Sequence, residues 1–103
     1  MARLQKEIIR GKILYYLALV YPQAVTLPLL QGELDLFGYP VPMDELKFHL
    51  AYLAEKGMVS LDDPPVGGQP RRKVALAKIT AKGIDYQDGR LPADEGVYLE
   101  PGR

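Results

Sequence analysis

Cysteine is absent from this sequence of 103 residues, and its absence excludes several kinds of site. A chain without cysteine has no disulfide, no zinc–thiolate centre and no cysteine nucleophile. Histidine is scarce as well: His49 stands alone and cannot form a metal site by itself, because such sites need several ligands. We therefore expect no bound metal, and the lack of cysteine favours the cytoplasm.

Long apolar runs are also missing, although 48% of the residues are hydrophobic. No stretch is long enough to cross a bilayer, so we expect no membrane partner. The basic and apolar residues before Tyr21 suggest a signal peptide, but tyrosines interrupt the apolar part and no small-residue cleavage site follows. The length and composition instead predict one globular domain with a single core.

Net charge is absent too, because 13 lysines and arginines balance 13 aspartates and glutamates. This balance argues against strong DNA binding, since contacts to phosphates require cations. The charges are nevertheless segregated along the chain. Residues 1–21 and 62–82 each have an excess of three positive charges, and residues 22–61 and 83–103 each have an excess of three negative charges. A basic face is therefore possible on a protein that is neutral overall.

Motifs for catalysis or cofactor binding are missing as well. The stretch PPVGGQP, residues 64–70, lacks the G-K-[S/T] ending of a phosphate loop and no helix follows it. Asp85 and Asp88 have no calcium-loop pattern around them. No paired acids or nucleophile triad are visible, so we expect neither enzyme activity nor a cofactor.

The sequence does contain three segments with helical periodicity. Residues 2–21 are apolar on nearly all sides, which indicates a helix that is central or shared with a second subunit. Residues 24–38 form the second predicted helix, and Thr26 is its expected N-cap. The third, residues 42–56, carries its leucines on one side and ends at Gly57.

Strands and a closing helix follow. Residues 58–61 and 73–79 are predicted strands, joined by a long loop rich in proline and glycine. Residues 80–89 form a short helix. The remaining residues, 90–103, have no period and form an irregular tail, which we expect to fold back over the domain through its apolar side chains Val97, Tyr98 and Leu99.

This order of elements predicts an α+β fold that is mainly α: a winged helix-turn-helix over residues 1–89, followed by the tail. In that fold the third helix enters the major groove of DNA, and the hairpin between the strands is the wing.

The run KFHLAYLAEKGMVSL, residues 47–61, resembles the ArsR-type winged-helix pattern S-x-H-L-x-x-L-x-x-x-G-L-V, with Lys47 in the serine position. The run ITAKGIDYQDG resembles the junction that follows the wing in such proteins. The whole order is also similar to small winged-helix proteins of Mu-like phages. The resemblance implies a DNA-binding regulator; metal sensing is not implied, because the cysteines it uses are absent. The matching residues are His49, Leu50, Leu53, Gly57, Met58 and Val59.

Candidate contacts on the third helix are Lys47, Phe48 and Ala51, which share the side opposite the leucines. Lysine suits phosphate or guanine, and phenylalanine suits a thymine methyl group. The alternative is a solvated face on which Phe48 contacts another protein. By resemblance His49 contacts the DNA backbone, and its alternative is a histidine packed near the helix–strand junction.

Candidate contacts on the wing are Gln69, Arg71, Arg72 and Lys73. Three consecutive cations on a hairpin suit the DNA backbone or the minor groove. The alternative is a charged edge that prevents aggregation.

Taken together, these features predict a transcription regulator that binds double-stranded DNA, as a homodimer formed through the first helix and the C-terminal segment. The alternative is a winged helix used for protein–protein contacts, such as an accessory subunit of a phage or nucleoprotein assembly. The zero net charge and the acids Asp44 and Glu45 at the start of the third helix favour that alternative.

Overall fold

The computed structural model describes the backbone of residues 2–63, 65–66 and 69–99, and the side chains of residues 5–63 and 74–99. The helices in this part of the chain are α1 (Ala2–Leu19), α2 (Leu27–Leu36), α3 (Met43–Glu55) and α4 (Ala81–Gln87). The strands are β1 (Val25–Thr26), β2 (Val59–Asp62), β3 (Pro65–Val66), β4 (Gln69–Lys73) and β5 (Leu76–Ile79). No helix among the described residues is both long enough and apolar enough to span a membrane.

Helix α1 lies at the centre of the domain and contacts α2, α3, α4 and β5. It ends at Leu19, slightly before the predicted end. Its fully buried side chains recur at helical spacing and fill the core: Ile9, Ile13, Leu14 and Leu17. Much of the apolar surface of this helix is therefore used within one chain.

Helix α2 begins later than predicted. The sequence pattern placed its start at residue 24, but Val25 and Thr26 pair with β5 as strand β1. Since the edge of β5 offers backbone partners to these two residues, an extended conformation replaces the first helical turn. Thr26 then caps α2, with its hydroxyl oxygen accepting a hydrogen bond of 3.3 Å from the backbone N–H of Leu29.

Helix α3 buries Leu46, Leu50 and Leu53 completely, as the spacing of its leucines predicts. It ends at Gly57, whose φ of 77° lies in the left-handed region that favours glycine. The backbone N–H of Met58 donates to the carbonyl of Leu53 at 2.9 Å, which closes the last turn. The chain then passes directly into β2, so this turn sets the direction of α3 relative to the sheet.

The described strands form two antiparallel sheets. One is three-stranded, in the order β1-β5-β2, and the other is the hairpin β3-β4. In the first sheet Val59 pairs with Ile79 and Asp62 pairs with Leu76. The predicted strand over 73–79 is therefore wrong in part, because Lys73 belongs to β4, and the long hairpin loop predicted before it contains the paired strands β3 and β4.

The C-terminal tail folds back over the domain up to Leu99, which confirms the expectation for Val97 and Leu99 but not for the side chain of Tyr98, which is exposed. Val97 is 3% exposed, and its carbonyl oxygen accepts a hydrogen bond of 2.8 Å from the hydroxyl of Tyr86. The backbone N–H of Tyr98 donates to the carbonyl of Glu7 in α1 at 3.0 Å. This crossing requires Gly11, because a Cβ at that position would overlap the carbonyl oxygen of Tyr98.

Candidate nucleic-acid interface

The outer face of α3, defined here as the exposed residues Asp44, Lys47, Phe48, Ala51 and Glu55, lies opposite the buried leucines. The structure thus brings the three candidate contacts of this helix together. Phe48 is 57% exposed, so most of its ring is available to a partner. The outer face also carries an acid near each end, which weakens its attraction for phosphate.

Lys47 borders a groove of about 770 Å³ between α3 and the base of the wing. The floor is apolar and includes Leu50 and Leu76. Asp62 and Asp63, at the end of β2, line the same groove and face the one cation that α3 offers there. These carboxylates lower the positive potential beside Lys47, so this side of α3 attracts phosphate less than Lys47 alone would.

Helix α1 supplies the positive charge on the other side of Phe48. The ammonium of Lys6 lies 5.9 Å from the centroid of the Phe48 ring, and the guanidinium carbon of Arg10 lies 5.7 Å from it. Cations at this distance are attracted to the negative face of an aromatic ring. Sequence reasoning did not assign these two residues to the site. The signal that was available is the basic block over residues 1–21.

His49 does not lie on the outer face, because its side chain is 0% exposed. This burial contradicts the expectation that it contacts the DNA backbone; the histidine is packed, as in the alternative, but against Arg10 and Glu45 rather than near the helix–strand junction. Its Nδ1 accepts a hydrogen bond of 3.1 Å from Nε of Arg10. The proton must then be on Nε2, which donates to Glu45 at 3.1 Å.

Burial lowers the pKa of His49 below the usual value for histidine. The hydrogen bond to Glu45 opposes this shift, and the positive charge of Arg10 adds to it. A neutral imidazole is also what the geometry requires, since a protonated Nδ1 would face the N–H of Arg10 with a second donor. Burial, the hydrogen bond from Arg10 and the positive charge of Arg10 therefore all favour the neutral form of His49.

A second polar cluster joins α3 to the tail. The hydroxyl of Tyr52 donates to a carboxylate oxygen of Asp94 at 2.7 Å, and the backbone N–H of Gly96 donates to the same oxygen at 2.8 Å. The ammonium of Lys56 lies 3.1 Å from the other oxygen of Asp94. Arg10 completes the cluster, with its guanidinium 4.0 Å above the Tyr52 ring and its Nη1 donating to the carbonyl of Gly96 at 3.1 Å.

The pKa shifts in this cluster follow from those contacts. Burial alone would raise the pKa of Asp94, but the hydrogen bonds from Tyr52 and Gly96 and the nearby Lys56 lower it below the usual value. Burial and the hydrogen bond to Asp94 raise the pKa of Tyr52. Asp94 is thus held as a carboxylate and Tyr52 as a neutral donor.

The wing candidates Gln69, Arg71, Arg72 and Lys73 lie on strand β4. Their backbone belongs to the hairpin with β3, but their side chains lie outside the described residues. The role assigned to them from the sequence therefore stays a prediction.

Comparison with known proteins bears on the fold. No model of a known family matches the chain, and no curated protein matches it. A PadR-like transcription factor from Bacteroides fragilis is 17% identical, with a TM-score of 0.60 over 78% of this chain and 77% of that one. A PadR family transcriptional regulator from Eggerthella lenta is 14% identical, with a TM-score of 0.60 over 77% of this chain and 67% of that one.

A third solved structure, assigned as a transcriptional regulator from Thermoplasma acidophilum, is 21% identical, with a TM-score of 0.60 over 79% of this chain and 78% of that one. At these identities the likeness concerns the fold. The chain has the winged-helix architecture of PadR-like regulators, and the predicted fold class is confirmed.

Proposed function

We propose that this protein is a DNA-binding transcription regulator of the winged-helix type rather than an enzyme. The observation that carries the proposal is the placement of α3: its buried side holds the leucines, and its outer face presents Lys47, Phe48 and Ala51 to solvent. Such a helix, followed by a hairpin wing, is the arrangement that other winged-helix proteins insert into the major groove. The solved structures that share this fold are described as transcription regulators.

The proposal assigns different roles to the two parts of the interface. Lys47 and Phe48 contact base edges or phosphates in the major groove, and Arg71, Arg72 and Lys73 contact the backbone beside it. Lys6 adds positive charge next to Phe48 from α1. Because acids also lie on the outer face, we expect binding that is modest in strength and steep in its dependence on salt.

The test is binding of the full chain to a pool of random duplex DNA over a series of salt concentrations. Wild type is compared with the double variant Arg71→Ala/Arg72→Ala. The matched control is Lys82→Ala/Arg90→Ala, which removes the same charge from exposed residues in and after α4. If both arginines contact phosphate, the log–log salt slope of the first variant decreases by about 1.8, from about 0.9 per contact.

Binding by wild type, together with a reduced slope only in the wing variant, supports the proposal and allows the bound DNA to be sequenced. Equal losses in both double variants would mean that overall charge alone attracts DNA. No binding by wild type at the lowest salt contradicts DNA binding.

A second candidate function is a protein-interaction module, and the specific observation that favours it is Phe48. An exposed aromatic ring beside the acids Asp44 and Glu55 fits a protein partner with apolar and basic groups better than it fits phosphate. Under this alternative Phe48→Ala abolishes capture of the partner, while Lys47→Ala has little effect. An accessory role in a phage or nucleoprotein assembly belongs to this class.

Several finer features are part of the proposal. The resemblance of residues 47–61 to the ArsR-type pattern is supported by the motif residues that end α3, such as Leu53 and Gly57, and the similarity to Mu-like phage proteins by the order of the helices. A regulator of this type acts in the cytoplasm. Homodimerisation through α1 and the C-terminal segment is supported by Leu19 and Tyr98, which are 64% and 41% exposed. Sedimentation equilibrium of wild type and Leu19→Ala tests the dimer.

A further inference from the structure

Arg10 lies where three parts of the chain meet. Its Nε donates to His49 of α3, its Nη1 donates to the carbonyl of Gly96 in the tail, and its guanidinium stacks on Tyr52 of α3. The side chain itself belongs to α1 and is only 8% exposed. One guanidinium group therefore contacts two residues of α3 and the tail at the same time.

These contacts restrict how α3 can rotate against α1. His49 and Tyr52 are three residues apart, so they lie on the same edge of the helix. A guanidinium is planar, with donors in fixed directions, and it satisfies both partners in one orientation only. Lysine has no such fork, and its single ammonium group cannot occupy both donor positions.

His49 and Tyr52, the two residues of α3 that Arg10 contacts, lie next to the outer face of this helix. The Phe48 ring packs edge-on against the His49 ring, with 5.9 Å between centroids, and Arg10 is 5.7 Å from the same ring. A movement of Arg10 therefore displaces His49 and Phe48, and it changes the direction in which the outer face points.

The tail in turn fixes the acceptor that Arg10 uses. The N–H of Gly96 is bound to Asp94, and Asp94 is anchored on α3 by Tyr52 and Lys56. Gly96 can approach this closely only without a side chain, because a Cβ there would overlap the Tyr52 hydroxyl. The position of the Gly96 carbonyl is thus set by contacts with the same helix that Arg10 holds.

We propose that Arg10 is a positioning residue for the outer face of α3, and that residues 94–98 of the tail keep Arg10 in the orientation that this role requires. For its effect on DNA binding this inference rests on the proposed function; the geometry of α3 can be tested without DNA. Residues 94–98 thereby influence an outer face that lies on another element.

The test combines amide NMR spectra of the full chain with binding to the random duplex pool at low salt. The variant is Arg10→Lys, which keeps the charge and loses the fork. The matched control is Arg90→Lys, because Arg90 is exposed and the partner described for it is the exposed Asp85, at 3.4 Å. All spectra are recorded at a temperature where each variant is fully folded.

We expect Arg10→Lys to shift the amide signals of Lys47, Phe48 and Ala51 and to weaken DNA binding roughly two- to thirtyfold, the range seen for residues that act through others. Arg90→Lys leaves both unchanged. His49→Asn places an amide oxygen where Nδ1 stood, so it still accepts the bond from Arg10 and its DNA binding stays close to wild type, although loss of the ring beside Phe48 shifts the signals of its neighbours.

If Arg10→Lys lowers only the melting temperature and leaves the signals and the affinity unchanged, Arg10 is merely structural and the inference is wrong. Should that variant fail to fold, Asp94→Ala removes the acceptor of Tyr52 and Gly96, and unchanged signals for the outer face would overturn the inference. If wild type binds no DNA, the proposed function fails, while the NMR shifts still decide whether Arg10 positions α3.

Discussion

The hydroxyl of Tyr52 donates a hydrogen bond of 2.7 Å to Asp94, a residue 42 positions further along the chain. This bond fastens the C-terminal tail to the helix that carries the candidate interface. Because the acceptor is an ionised carboxylate, the bond is stronger than one between neutral groups. The described tail residues therefore pack against the rest of the chain, and the irregular appearance of the sequence conceals that.

Removal of this hydroxyl group gives the first prediction. Tyr52→Phe leaves the ring under Arg10 and takes away one donor to Asp94, so we expect the free energy of unfolding to fall by about 1–2 kcal/mol. Urea unfolding followed by circular dichroism measures the change. Tyr98→Phe is the control, because its side chain is exposed. An equal loss in both variants would argue against a specific role for the bond.

The second prediction concerns pH. Burial lowers the pKa of His49, so between the ordinary pKa of histidine and the lower folded value the unfolded chain binds a proton that the folded protein does not. The free energy of unfolding therefore does not depend on the protonation of His49 above about pH 6.5. Below that pH it decreases as the pH falls, by at most about 1.4 kcal/mol per pH unit.

Urea unfolding at about pH 7.5 and about pH 5 measures this pH dependence. Both pH values lie above the range in which Asp94 gains its proton. His49→Asn cannot titrate there, so its stability changes less between the two conditions. The same slope in wild type and variant would assign the effect to other groups.

A third prediction concerns the tail as a whole. A chain that ends at Gly89 loses the buried Val97 and the hydrogen bonds from Tyr86 and Tyr52, so we expect a loss of about 3 kcal/mol or more. A chain that ends at Leu99 retains these contacts and serves as the control. Thermal unfolding compares the two, and equal melting temperatures would show that the tail adds no stability.

Two glycines in helices provide the fourth prediction, with opposite signs. At Gly11 a Cβ would overlap the carbonyl oxygen of Tyr98, whereas at Gly32 it would have no neighbour within 4 Å. Gly11→Ala therefore displaces the tail and destabilises the protein. Gly32→Ala gains helix propensity and stabilises it by up to about 1 kcal/mol. Thermal unfolding of both variants measures these changes in stability. A higher melting temperature for Gly11→Ala would contradict the close crossing of the tail at Gly11.

The helices were predictable because their signals are local. The leucines of α3 recur with the period of a helix, and Gly57 marks its end whatever surrounds it. The N-cap of α2 is also a local signal, and Thr26 caps the helix as predicted, but the short strand β1 was not predictable in this way. Val25 and Thr26 become a strand only because β5, about 50 residues later, lies beside them.

The candidate site likewise has residues that were predictable from local signals and residues that were not. Periodicity alone placed Lys47, Phe48 and Ala51 on one face, and the structure agrees. It could not show that His49 is buried or that Arg10 reaches it, because a helical pattern does not name the partner of a polar side chain.

The sequence by itself determined the order of the four helices, the side of α3 that is buried and the glycine that ends it, since each depends on neighbours a few residues away. Only the tertiary structure decided the rest. Arg10 finds His49 across 39 residues and Gly96 across 86. Contacts of that range arise when the core forms and brings distant segments together, so no local pattern records them.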